Sequence, residues 1–185
     1  MKKLPSLLFI LFLIPLSLFA QQTVFLAGKS KVSFQSDAPM ELIKATSNKL
    51  QGAIDAGKRT FAFSIPADSF KGFNSPLQQE HFYENYMEAK SYPVSTFSGK
   101  IIEQVDLLKN GSYSVRAKGK LNIHGVEQER IIKVQLRIQD GTIFAETIFT
   151  ILLQDHNITI PKVVFQKIAE EIRVVASVEF DQKKK

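Results

Sequence analysis

The chain has 185 residues, a formal net charge of +6, fifteen phenylalanines, and neither cysteine nor tryptophan. That length suits one domain, and without thiols there is no disulfide framework and no lipid-modified cysteine, so an apolar core must hold the fold. Setting Lys2 and Lys3 aside leaves 22 basic against 18 acidic residues, three of the positives being the terminal lysines, so no basic face points to nucleic acid.

Lys2 and Lys3 precede an apolar run over 7–19, followed by Ala20 and the polar pair Gln21-Gln22. This order reads as a secretory signal peptide cleaved after Ala20, the apolar run being shorter than the about 20 residues that span a bilayer. The chain then divides into a leader, 1–20, and one domain, 21–185, with a periplasmic or secreted destination. Lys183, Lys184 and Lys185 read as a solvated end, with a transient membrane-surface contact as the alternative.

After the leader the apolar residues alternate with period two, the mark of half-buried strands. Val32 and Phe34 open a short strand after Gly28. Residues 41–47 read as extended, and Leu50, Gly52 and Ile54 alternate with polar neighbours. Ala56-Gly57-Lys58 turns the chain, Phe61, Phe63 and Ile65 share one face, and Pro66 ends that strand. Residues 67–70 read as a turn or a short helical loop.

The segment 73–98 differs from everything around it. Ser75 suits an N-cap, Pro76 suits the first helical position, and Gln78 completes a capping box. Phe82 with Tyr86, and Tyr83 with Met87, lie four apart and form an aromatic stripe expected to pack on the barrel. Tyr92-Pro93 forces extended backbone, so the helix ends before it and a strand follows over about 94–105. Asn110-Gly111 suits a type I′ hairpin turn. Tyr113, Val115, Ala117, Gly119, Leu121 and Ile123 then alternate, His124-Gly125 reverses the chain, and Ile132, Val134, Leu136 and Ile138 share a face. Asp140-Gly141 is a further tight turn, before an apolar stretch over 143–153. Val163-Val164-Phe165 beside Pro161 is expected in the core, with an exposed apolar segment as the alternative. The last strand buries Ile172, Val174, Ala176, Val178 and Phe180. About eight antiparallel strands with tight hairpins and one helix make an all-β barrel or sandwich.

Candidates for catalysis are thin. His124 and His156 lie in turn sequences and read as solvated polar residues. His81, Glu84 and Glu88 have the spacing of one helical face, which could present one imidazole and two carboxylates to a metal. The stretch 81–85 resembles the start of the inverzincin motif, but Asn85 stands where a second histidine belongs, and a polar helix face explains the three residues. The sequence asks for no cofactor and does not read as an enzyme. Asn110-Gly-Ser112 and Asn157-Ile-Thr159 match the glycosylation pattern, which turn composition also explains. Phe34, Phe61, Phe63, Phe97 and Phe149 beside the small Gly52, Ala117, Gly119 and Ala176 leave two outcomes open: an interdigitated core or a tunnel.

Three motifs in order resemble the YceI-like family. Glu80-His81-Phe82 through Ser91-Tyr92-Pro93 and Thr96-Phe97 is similar to its crossover segment. Residues 118–126, Lys-Gly-Lys-Leu-Asn-Ile-His-Gly-Val, resemble its Gly-x-Leu-Thr-Ile-x-Gly-Val hairpin, with Asn122 in place of threonine. Asp155-His-Asn-Ile158 with the last strand resembles its C-terminal end. Lys29-Ser30 and 31–34 lack the histidines that usually open the family's sequences, and the Gln79-Glu80-His81-Phe82 helix looks like that of a subgroup. The resemblance implies an antiparallel eight-stranded lipocalin-like barrel with one short crossover helix, an apolar tunnel, and a polyisoprenoid or other long-chain lipid as partner; it does not imply catalysis. The residues expected to face that ligand are Phe34, Phe61, Phe63, Phe97, Val115, Leu121, Val134, Phe149, Ile172 and Val174, with Phe73, Leu77, Phe82 and Tyr86 closing one end. The competing expectation is a solid-core barrel serving as an interaction or stress-response module.

Overall fold

The structure is a computed structural model and describes residues 23–183, so the leader over 1–20 lies outside the described residues. Among the described residues nine strands run β1 (Val24–Asp37), β2 (Leu42–Ser47), β3 (Gln51–Asp55), β4 (Thr60–Pro66), β5 (Val94–Ile101), β6 (Gly111–Ile123), β7 (Val126–Gln139), β8 (Thr142–Leu152) and β9 (Glu171–Gln182). All are antiparallel to their neighbours, and β1 pairs with β9 to close the sheet on itself, which leaves no long free edge. Strands β2 and β3 both pair with β1 in one continuous register, Val32 opposite Ser47 and Leu26 opposite Ala53. They are therefore one interrupted strand, and the molecule is an eight-stranded barrel.

The first strand is longer than the alternation around Val32 and Phe34 suggests. It begins at Val24 and passes through Gly28 by a bulge against β9, between Ala27 and Ser30. The bulge switches the inward set from Phe25 and Ala27 to Ser30, Val32, Phe34 and Ser36. A period-two reading finds only the half after such a switch. Further round the barrel, Gly99 of β5 lies opposite Gly119 of β6. A Cβ on Gly99 would sit 2.1 Å from the Lys118 carbonyl oxygen, so only glycine permits this approach of the two backbones.

Asp140 and Gly141 have φ of 51° and 81°, and His124 and Gly125 have 52° and 73°, so both reversals carry the left-handed pair that matches strand twist. Asn110-Gly111 makes no such turn. Strand β5 ends at Ile101, residues 102–110 form a longer connection, and the Asn110 side chain instead accepts a hydrogen bond from the Asp140 amide at 3.1 Å. That connection puts Leu107 into the core with Phe25, Ile138, Ile143 and Phe180, sealing one end of the barrel.

The other end carries helix α1 (Pro76–His81), which continues as a π-turn over Phe82–Tyr86 between β4 and β5. Ser75 Oγ accepts the Gln78 amide at 3.1 Å, with Pro76 in the first turn as expected. The return bond of the capping box is displaced by one residue, Gln78 Oε1 accepting from the Asn74 amide at 3.0 Å. A second cluster, including Val32, Ala45, Phe70, Met87, Leu121, Ile151 and Val174, packs beneath this helix.

Candidate functional site

Between its two ends the barrel encloses a cavity of about 570 Å³. The alternation of the strands points one apolar set into this space, with Ile131 and Ile148 among the apolar residues left on the outer face, while the pairing of the strands satisfies the backbone. Near the sealed end, Phe61 lies 5.3 Å from Phe63 and 4.8 Å from Phe97 between ring centroids, and Phe63 lies 5.4 Å from Phe180. At the helix end Phe34 stacks on Phe82 at 5.1 Å and contacts Phe70 and Phe73, while Phe73 meets Phe82 at 5.0 Å. Such offset and tilted pairs are the favoured aromatic geometries. Valine, alanine and threonine side chains face the space from β7, β8 and β9, and their smaller volumes leave it unfilled. The inward Phe residues thus do not interdigitate into a solid core.

The fourteen residues expected from the sequence to face or close the interior all border this cavity. They do so unequally. Phe61, Val115, Leu121, Ile172 and Val174 are buried, Phe34, Phe63, Phe73, Phe82, Tyr86, Phe97, Val134 and Phe149 are half-buried, and Leu77 is 59% exposed at the mouth. Burial raises the Tyr86 phenol above its usual pKa. Alternation also supplies Leu50 and Ala176, which border the cavity, and could have supplied Thr147 and Ile151, which share a face with Phe149. It could not supply Phe70, or Lys167 and Ile168, because these lie on irregular backbone.

The helix is tied to the barrel at both ends. Gln78 Nε2 donates to Glu41 Oε1 at 2.9 Å, and Asn74 Nδ2 donates to the same oxygen at 3.2 Å and to the Leu42 carbonyl at 3.1 Å. Tyr83 donates to the Phe70 carbonyl at 2.6 Å and accepts from Lys71 Nζ at 2.8 Å. Phe82, Tyr86 and Met87 pack inward, so the aromatic stripe lies on the barrel as its spacing suggests. At the exit Glu88 takes φ of 43°, and its carboxylate lies 3.2 Å from Nε2 of His124. Tyr92 meets the His124 ring edge-on at 4.6 Å, and His124 Nδ1 donates to the His156 carbonyl at 3.0 Å.

His124 and His156 are therefore not solvated turn residues. His156 is fully buried, its Nδ1 donating to the Val126 carbonyl at 3.1 Å. Desolvation holds its pKa below the usual imidazole range, opposed by the bonded carbonyl. The turn sequences specify the backbone at these positions but say nothing of the contact between the β6–β7 turn, which carries His124, and the β8–β9 connection, which carries His156.

The proposed face of His81, Glu84 and Glu88 does not converge. Glu84 pairs with Lys90 at 3.7 Å, Glu88 turns to His124, and the π-turn breaks the helical spacing between them. His81 is exposed at the cavity mouth. Among the described residues no group of three or more His, Cys, Asp or Glu is arranged to hold a metal. The segment 163–165 also departs from expectation. Val163, in a short 3₁₀ turn (Lys162–Val164), is 89% exposed and Phe165 just after it 63%, while Val164 between them is half-buried against the cavity, because the β8–β9 connection crosses the rim of the barrel.

Residues 25–180 match the model of the YceI-like domain. No curated protein matches the sequence at a significant level. Among solved structures, one described as a polyisoprenoid binding domain from Saccharophagus degradans, implicated in plant cell wall breakdown, superposes with a TM-score of 0.73 at 17% identity, covering 88% of this chain and 100% of that one. Burkholderia cenocepacia BcnA gives 0.67 at 20% identity, covering 81% and 95%, and the Campylobacter jejuni YCEI protein gives 0.59 at 16% identity, covering 76% and 85%. At these identities the likeness is one of fold.

Proposed function

This chain belongs to the YceI-like domain family, and from that premise and its cavity we propose that it binds a long apolar chain of isoprenoid type inside the barrel. The observation that carries the reading is the cavity of about 570 Å³, apolar along its length and bordered at its mouth by the exposed Leu77, His81 and Lys167. The fold relative described as a polyisoprenoid binding domain supports the choice of ligand class.

The mechanism is partition. Each methylene moved from water into the barrel contributes about 0.8 kcal/mol, so a chain of many carbons offsets the ordering of its own torsions. Aromatic rings at both ends give flat walls to a flexible chain, and the hydroxyl of Thr147 is turned onto the Lys133 carbonyl at 2.7 Å, which leaves little polar demand on a bound hydrocarbon. Such a site stores or carries its ligand and transforms nothing. The apolar run over 7–19 supports action outside the cytoplasm, in the periplasm or beyond the cell. Mass spectrometry of the organic extract of protein purified natively from its own host is expected to show one long-chain lipid at near-stoichiometric amount. Lipid-free protein from that source overturns the reading.

A further inference from the structure

The rim of the cavity carries an apolar surface that binding inside the barrel does not require. Three segments meet there. The Met40 amide donates to the Gln166 carbonyl at 2.9 Å, joining the β1–β2 hairpin to the β8–β9 connection. Asn74 and Gln78 bond Leu42 and Glu41, joining the same hairpin to the helix. Val163 and Val164 border a shallow hollow with His81 and Tyr86, joining the connection to the helix. Each segment presents a large apolar side chain to solvent: Met40, Leu77, Val163 and Phe165. Apolar side chains scattered singly on a surface need no explanation, but these surround the opening of an apolar cavity.

The apolar tip of the connection is flanked by cations. From Asn157 to Ala169 its ionisable side chains are Lys162 and Lys167, both exposed, with Asp155 and Glu170 standing at the ends of the connection, and Lys167 borders the cavity itself. Across the mouth the Glu41 carboxylate borders the cavity and accepts from the Gln78 and Asn74 amides. An apolar tip flanked by lysines is the surface that enters the headgroup region of a bilayer, apolar groups below and ammonium groups level with the phosphates.

We propose that this rim docks on an anionic lipid bilayer, with Val163 and Phe165 inserted and Lys162 and Lys167 on the phosphates, so that the cavity opens toward the membrane. The proposal rests on the lipid-binding reading for its purpose, because an apolar chain then passes between bilayer and barrel with little exposure to water. Its geometry does not depend on that reading.

The test is co-sedimentation of the purified protein with phosphatidylcholine vesicles, with and without about one third phosphatidylglycerol. The protein is expected to bind the anionic vesicles, and each of Lys162→Glu and Lys167→Glu to weaken binding by about fivefold or more. Val163→Asp with Phe165→Asp alters exposed side chains only, so the fold is kept and vesicle binding is expected to fall at least about tenfold. Uptake of a soluble fluorescent apolar probe by that double variant is expected to be unchanged. Wild-type protein that stays in the supernatant, or a double variant that binds vesicles as well as wild type, overturns the proposal. So does a dimer in solution that the double variant abolishes while vesicles bind neither form, since the patch then serves a second copy. Vesicle binding without probe uptake sinks the cavity reading and leaves the docking surface standing.

Discussion

Filling the cavity separates a binding barrel from a barrel that merely happens to be hollow. Ala176 faces inward on β9, opposite Val32 on one side and Thr147 on the other, and borders the cavity. Ala176→Phe places a phenyl ring in that space and displaces about four to six carbons of a bound chain, which at about 0.8 kcal/mol each removes about 3–5 kcal/mol of binding. Affinity should therefore fall by about 100- to 1,000-fold or more. The free barrel gains apolar contacts from the same ring, so its stability should hold or rise by about 0.5–2 kcal/mol. Titration of an isoprenoid alcohol against a displaceable fluorescent probe reads the first quantity, and urea unfolding of the lipid-free protein reads the second. A variant that unfolds as wild type yet binds the chain undiminished would place the ligand outside the barrel and refute the reasoning.

Three further outcomes follow from single sites. Ser75→Ala removes the helix cap and should destabilise by about 1 kcal/mol, with faster amide exchange at Gln78 than at strand positions. Gly99→Ala forces a Cβ onto the Lys118 carbonyl and should cost about 2–4 kcal/mol in denaturant melts, whereas Gly57→Ala, whose Cβ meets only Asp55 at 3.6 Å, should change stability by less than about 0.5 kcal/mol. His156 is held neutral when folded, its pKa lying below the unfolded value near 6.5, so the unfolded chain binds the extra proton first on acidification. Its contribution is present above pH 6.5 and is lost as the pH falls through the folded pKa; urea midpoints should drop over that window, and His156→Gln should flatten the drop.

How far the sequence carried differs from element to element. In β6, β7 and β9 one face is buried along an unbroken register, so period two in the residues is period two in space, and Val115, Val134 and Val174 could be placed from the chain alone. In β1 the bulge after Ala27 changes which parity faces inward, so the alternation around Val32 and Phe34 marks only the later part of a strand of 14 residues. The helix start was legible because a serine, a proline and a glutamine act within one turn of each other. Its end was less so: the π-turn that sends Glu84 to Lys90 and Glu88 to His124 depends on partners from the helix exit and the β6–β7 turn.

The amino-acid sequence by itself determined the all-β class, the hairpins at His124-Gly125 and Asp140-Gly141, the place of helix α1 and its cap, and the apolar set that faces inward. These follow from local rules: alternation, left-handed turn residues and the groups a chain can satisfy within a few residues of itself. Only the tertiary structure decided that the inward set surrounds a cavity, that His156 is buried, and that Val163 and Phe165 stand out at its mouth. Each of those depends on what a distant segment covers or leaves uncovered, and volume left between side chains is a property of strands brought together by closure, which no single stretch of sequence contains.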